Sequence, residues 1–226
     1  MTTFGEISEP ISRSAWEDWD EIIPGTDLIE LHWQQDIGII KEVGTLIILE
    51  GKYLSDIVNT HIKSNLEFVN SIKEVNLSLF KSEDNLICFI KDYNLILSSD
   101  IVHILKPYLS IAQNVITILT KSLSEYQSSE YFNKDCIVRT IHTTKPSKFI
   151  KYNFPKLEQP NLISGVSAGV ISLREHLGQS GVAVVSYIEY AEDYQIETIQ
   201  SLLKELDILQ SGHTKPSNVL NSNLYV

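Results

Sequence analysis

The stretch LISGVSAGVISLREHLGQSGVAVVSYIEY, residues 162–190, decides the fold. Its first part is rich in small residues (Gly165, Ser167, Ala168, Gly169) and leads into a helical pattern that closes near Gly178. Its second part, GVAVVSYIEY (181–190), is an almost unbroken apolar run. A strand with no polar alternation is a strand buried on both faces, which is how strands of a parallel sheet read. A helix feeding directly into such a strand is half of a βαβ unit.

The same signature recurs upstream. TLIILEG (45–51), NLICFIK (85–91), NVITILTKS (114–122) and IVRTIHT (137–143) read as strands, and LIELHW (28–33) alternates like one. Ile37–Ile40 is a weaker strand candidate. Helical spacing appears in YLSDIVNTHIKS (53–64), in YQIETIQSLLKELDIL (194–209) and in SSDIVHILKPYLS (98–110). In the last of these, Ser98 and Asp100 are plausible N-terminal caps and Pro107 should end or kink the helix. Residues 66–80 have mixed apolar periodicity and are expected to be helical. Strands alternating with helices predict an α/β fold, a three-layer α/β/α sandwich with a largely parallel central sheet.

The chain has 226 residues, 43% of them hydrophobic and 21% charged. That supports one domain with a real core. The formal charge is −11, and an acidic surface repels phosphate backbones, so no nucleic-acid partner is expected. Much of the acidity is local: Glu6, Glu9, Glu17, Asp18, Asp20, Glu21, Asp27 and Glu30 face the single base Arg13 within the first 30 residues. Residues 1–27 therefore read as an acidic N-terminal arm, in which Trp16 and Trp19 lie three apart, at helical spacing. Residues 28–209 form the α/β domain. Residues 210–226, with Gly, Pro, Ser and Asn and no periodicity, read as a flexible C-terminal tail. No apolar run is long enough to span a membrane, and MTTFGEISEP lacks the features of a secretory signal. Two cysteines, Cys88 and Cys136, in strand-like contexts suit a reducing compartment, so a cytoplasmic protein with free thiols is expected.

Several motifs bear on chemistry. GVSAG (165–169) satisfies G-x-S-x-G, the turn that presents the nucleophile of α/β-hydrolases, and Asp193 or Asp207 followed by His213 stand in the right order for a triad. Against this, the apolar strand before Ser167 is short, no HGGG-type loop occurs upstream, and His213 falls in the tail. The preferred reading is that small residues let a helix pack closely on the sheet. Gly165 and Gly169 could turn backbone amides toward an anion, but neither G-x-G-x-x-G nor a P-loop lysine is present. His32, His61, His103, His142, His176 and His213 form no metal-ligand spacing, so neither metal nor cofactor is expected. Residues 143–160 carry Lys145, Lys148, Lys151 and Lys156 with three prolines and one acid, Glu158. They read as a long loop, either a basic contact surface for an acidic partner or a solvated connection. The sequence ends Leu224-Tyr225-Val226: an apolar group, a ring with a hydroxyl and a carboxylate, on a tether that could enter a pocket on another protein.

The stretch LEQPNLISGVSAGVISLREHLGQSGVAVVSYIEY (157–190), the helix after it and the closing SNLYV resemble the proteasome assembly chaperone 1 family, as does the opening MTTFGEI. The resemblance covers about residues 157–226 and the first seven; the middle, 50–140, matches only in the order of strands and helices. It implies a non-enzymatic chaperone with an α/β/α fold. Such a protein pairs with a homologue, proteasome assembly chaperone 2, and binds α subunits of the 20S proteasome to promote α-ring assembly. A hydrophobic–tyrosine–any tail docks between adjacent α subunits, a role that falls on Leu224, Tyr225 and Val226. The chain departs from the family at Gly-Val-Ser-Ala-Gly, where relatives tend to have Leu-Pro-Ala-Ala, which argues against Ser167 as a nucleophile.

Overall fold

The apolar run predicted at 45–51 is strand β1 (Val43–Glu50), and it lies in the middle of a seven-stranded sheet. The computed structural model describes residues 30–35, 42–51, 54, 66–128, 136–189, 197–206 and 208. Two units are distinguished, Met1–Glu30 and Leu31–Val226, and the architecture below is that of the second. The expected acidic arm with Trp16 and Trp19 and the tail from 210 onward lie outside the described residues, as do Ile37–Ile40 and all of the 53–64 segment except the buried Leu54.

The strands are β1, β2 (Glu67–Ile72), β3 (Leu77–Ser82), β4 (Asn85–Ile90), β5 (Ala112–Ser122), β6 (Cys136–His142) and β7 (Gly181–Ile188). Their order is β2-β3-β4-β1-β5-β7-β6. The helices are α1 (Ser98–Ile111), α2 (Gly165–His176) and α3 (Glu197–Glu205). The four central strands, β4-β1-β5-β7, run parallel, while β2/β3, β3/β4 and β6/β7 pair antiparallel. The sheet is therefore mixed, which corrects the expectation of a largely parallel one. The parallel strands are the long apolar runs; β2 and β3 join β4 through short hairpin turns, and β6 pairs antiparallel with β7 from across the 143–180 connection.

Both faces of β1 are dry. Leu46 and Ile48 join one cluster with Ile101, Leu105 and Leu109 of α1 and Val166 and Val170 of α2. Ile47 and Leu49 join another with Ile116 and Ile118 of β5 and Ile199, Leu202 and Leu203 of α3. Each such fully buried aliphatic side chain contributes about 1.5–3 kcal/mol relative to exposure. Gly169 lets α1 and α2 approach: a Cβ there would lie 2.9 Å from the Val102 side chain.

Three local expectations change. Residues 66–80 are not helical; they form the β2–β3 hairpin, whose turn closes through Asn76 N–H donating to the Lys73 carbonyl at 3.2 Å with Asn76 at φ 45°. Burial alternates along β3 at Leu77 and Leu79, a period-two signal that the apolar, out-of-phase Phe80 blurs. Residues 30–33 are not a strand: Gln34 and Gln35 only touch the β2 edge, through Ser71 and the Asn70 amide. Pro107 does not end α1, which runs on to Ile111, and its first turn is preceded by a short 3-10 turn capped by Asn94 rather than by Ser98 or Asp100. Cys88 in β4 and Cys136 at the start of β6 are free thiols, and burial pushes both above their ordinary pKa.

Candidate functional site

The turn around GVSAG lies beyond the C-terminal ends of the parallel strands, the place where open α/β sheets usually bind ligands. β1 delivers Glu50 there, the segment after β4 delivers Tyr93, and α2 begins there. A helix start carries unsatisfied N–H groups and a partial positive charge. In this chain an internal carboxylate fills that position. Val166 N–H donates to Glu50 Oε1 at 3.2 Å and to the Tyr93 hydroxyl at 2.9 Å, and Ser167 N–H donates to Glu50 Oε2 at 2.8 Å. Tyr93 in turn donates its hydroxyl proton to Glu50. Burial first, and the facing carboxylate second, push the Tyr93 phenol well above its ordinary value, so it stays a donor.

Gly165 makes this contact possible. Its φ is +75°, and a Cβ at that position would collide with the Glu50 carboxylate and the Tyr93 hydroxyl. Outside this contact lies an open cleft of about 390 Å³ lined by Lys91, Asp92, Lys121, Glu125 and Ser164, among others. Ser167 lies in the first turn of α2 with no exposed surface, and its Oγ has no partner among the described residues. A nucleophile elbow needs an exposed hydroxyl beside a base and free N–H groups for an oxyanion. Here the hydroxyl faces the core and the amides are engaged by Glu50. Asp193, Asp207 and His213 lie outside the described residues. The same engagement accounts for the phosphate reading of Gly165 and Gly169: the helix start already has its anion, and Gly169 faces Val102 of α1.

The LEQPN segment (157–161) is an anchor. Arg139 of β6 donates through Nε to Glu158 Oε2 at 2.8 Å, and both Tyr126 and Arg139 Nη2 reach Glu158 Oε1. Asn161 imitates a strand partner: Gln127 N–H donates to its Oδ1 at 2.8 Å, and its Nδ2 donates back to the Gln127 carbonyl at 2.7 Å. The Gln159–Pro160 peptide bond between the two contacts is cis. These residues pin the end of the 143–160 loop to β6 and to the segment after β5. The loop itself contains only a short 3-10 turn, Lys148–Tyr152, and one isolated bridge from Lys156 to Thr140.

Sequence reasoning found the turn and the loop but not Glu50, Tyr93, Arg139 or the fully buried Arg174. The one available signal was a charged residue, Glu50, closing an apolar strand immediately before a glycine. Leu224, Tyr225 and Val226 lie outside the described residues. Among the described residues no helix is long and apolar enough to cross a membrane.

No protein-family model matches the chain, and no curated protein matches it either. Solved structures do share its architecture. PbaA of Pyrococcus furiosus, an archaeal homologue of proteasome-assembly chaperone, superposes with a TM-score of 0.58 at 11% identity, over 80% of this chain and 88% of PbaA. A protein of unknown function from Thermoplasma acidophilum gives 0.54 at 9% identity, over 77% of this chain and 81% of that one. PbaB of Pyrococcus furiosus, an archaeal proteasome activator, gives 0.51 at 11% identity, over 80% and 91%. At these identities the likeness establishes the fold, and that fold, a mixed α/β sheet with its helices, is the one this chain shares with PbaA and PbaB.

Proposed function

We propose that this chain is a non-enzymatic, cytoplasmic proteasome assembly chaperone. In this reading its body is an α/β/α sandwich that pairs with a homologous protein, proteasome assembly chaperone 2. The pair binds α subunits of the 20S proteasome and promotes formation of the α ring. Leu224, Tyr225 and Val226 enter a pocket between adjacent α subunits: the leucine and the ring bury area, the phenol hydrogen-bonds, and a carboxylate pairs with a lysine.

The observation that carries this reading is the fold shared, over 80% of this chain, with an archaeal homologue of proteasome-assembly chaperone. A fold by itself hosts many functions. The resemblance of 157–226 to the chaperone family supplies the link to this one, and Ser167, buried and without a partner among the described residues, weakens the hydrolase alternative.

The test is affinity purification through an N-terminal tag, with mass spectrometry of what co-purifies. Proteasome α subunits and a second α/β protein of similar size are expected. Deleting Leu224–Val226, or Tyr225→Ala, should cut α-subunit recovery at least about tenfold without moving the thermal midpoint, because losing one partner of a desolvated charge pair costs roughly 2–5 kcal/mol. Equal recovery with a C-terminally extended chain would overturn the tail mechanism. Absence of α subunits from the purified material would overturn the chaperone reading itself.

A further inference from the structure

Under the 143–156 loop lies a cleft of about 630 Å³, within the size range of ligand sites. Its floor is the β6–β7 end of the sheet, with Thr140, His142, Val182 and Val184, and its roof carries Phe149, Tyr152 and Phe154. The roof is an aromatic series: Phe149 stacks on Tyr152 at 6.1 Å, and Tyr152 lies 6.3 Å from Phe154. A second groove of about 280 Å³ continues past the same Phe149 and Tyr152 toward Lys148, Lys151 and Glu205. The two together make an extended trough rather than a single pit.

One polar atom on the floor lacks a partner. His142 Nε2 lies 3.0 Å from Thr140 Oγ1, whose own proton is directed to the carbonyls of Phe154 and Pro155, at 3.3 Å each. With the Thr140 proton on one of those carbonyls, Nε2 is the donor and Nδ1 keeps its lone pair. Nδ1 is buried and has no hydrogen-bond partner among the described residues. Burial, and then the charge of Lys156, hold His142 below its ordinary pKa, so the lone pair persists at neutral pH. A buried acceptor without a donor is costly, and a bound donor would satisfy it.

The rim is basic. Lys148, Lys151 and Lys156 line the two grooves and Lys145 lies on the same loop, and none of the four is ion-paired among the described residues. Lys148 and Lys151 lie over the Phe149 and Tyr152 rings, at 5.3 and 5.0 Å. The acids nearby are Glu175, whose carboxylate is engaged by Thr144, Glu158, engaged by Arg139, and Glu205 at the far end. At Thr140 the β6 edge beside the cleft is already occupied by main-chain bonds to Pro155 and Leu157.

We propose that this trough docks an acidic peptide segment of a partner protein, its carboxylates along the lysine rim and an aromatic side chain with an N–H or O–H donor seated on His142 Nδ1. Cations strung along a groove match a string of carboxylates better than one small anion, and an aromatic-lined trough matches a ring. This inference stands independently of the proteasome reading.

The test uses a fluorescein-labelled peptide Asp-Glu-Trp-Glu-Asp, a sequence this chain does not itself contain, and the full chain, followed by anisotropy. Saturable binding that weakens as salt rises is expected. The double variant Lys151→Glu/Lys156→Glu, both exposed positions, should weaken it about tenfold or more, each reversed charge replacing an attraction with a repulsion. Replacing the peptide's Trp by Phe should weaken binding several-fold to the native chain and leave binding to the His142→Phe variant unchanged. Equal binding of Lys-Arg-Trp-Arg-Lys, unchanged binding by the double variant, or displacement by free glutamate at the peptide's own concentration would each overturn the proposal.

Discussion

Glu50 is a charged side chain only 8% exposed, and it survives in that position because the start of α2 neutralises it. Two amide N–H groups and a phenol converge on its oxygens, which is the coordination a bound anion would receive at a helix N-terminus. Gly165 is the permissive partner, since its positive φ and missing Cβ leave room for the carboxylate. Gly165→Ala is expected to lose about 2–4 kcal/mol in urea unfolding, from left-handed backbone strain together with displacement of Glu50. A loss below about 0.5 kcal/mol would mean that the contact is easily rearranged.

At the scale of elements, the 143–160 loop is long but not loosely attached. Its far end is clamped by Glu158 and Asn161, and its middle is held by Thr140 N–H donating to Pro155 at 2.8 Å and Leu157 N–H donating back to Thr140 at 2.9 Å. Burial alone would raise the Glu158 carboxyl, but the hydrogen bonds from Arg139 and Tyr126 outweigh it and hold the group below its ordinary range. A carboxyl depressed in the folded state contributes stability above its unfolded pKa, and that contribution is lost as pH falls through the folded value. The unfolding midpoint in urea should therefore drop between neutral pH and about pH 3, and Glu158→Gln should flatten part of that drop. An identical pH profile for the variant would show that the pair is fully screened by solvent, a real alternative for a carboxylate 38% exposed. The α1 helix illustrates a different balance. Pro107 removes one helical hydrogen bond, yet Leu105 and Leu109 on either side are fully buried against the sheet, and that packing carries the helix through.

At the scale of the Leu31–Val226 unit, a buried cation ties several elements together. Arg174 of α2 is 1% exposed and meets no carboxylate among the described residues; it donates instead to the carbonyls of Leu109, Ala112, Gln113 and Ser180 and to the Gln179 side chain. Those acceptors belong to the end of α1, the start of β5 and the turn before β7. Desolvation lowers its pKa, but a guanidinium stays charged. Arg174→Met keeps most of the volume and strands several carbonyls, so a loss of about 2–4 kcal/mol in global stability is expected, with no change in the secondary structure seen by circular dichroism at low denaturant. A variant as stable as the parent would mean that water replaces the guanidinium at every carbonyl. At the same scale, both sheet edges are met locally: β2 at Asn70 and Ser71 by Gln34 and Gln35, β6 at Thr140 by Pro155 and Leu157. Where its groups are already engaged, an edge resists strand addition by other chains.

What the sequence determined by itself is the set of strands buried on both faces. β1, β4, β5 and β7 are legible because a strand buried on both faces is apolar at nearly every position, and short runs such as Leu46–Leu49, bounded by turn residues, read that way. The helix after Gly165 was legible for the same kind of reason, a local period. Tertiary structure alone decided the rest. The antiparallel β2–β3 hairpin, the contacts on the edges and the mixed sense of the sheet depend on which segments meet in space, and half-exposed edge strands such as β2 carry no strict pattern. The contact of Glu50 with Ser167 joins residues 117 apart, and that of Tyr93 with Val166 joins residues 73 apart. Local periodicity records how one segment meets solvent and core. Which distant carboxylate meets which helix start is settled only when the sheet brings them together.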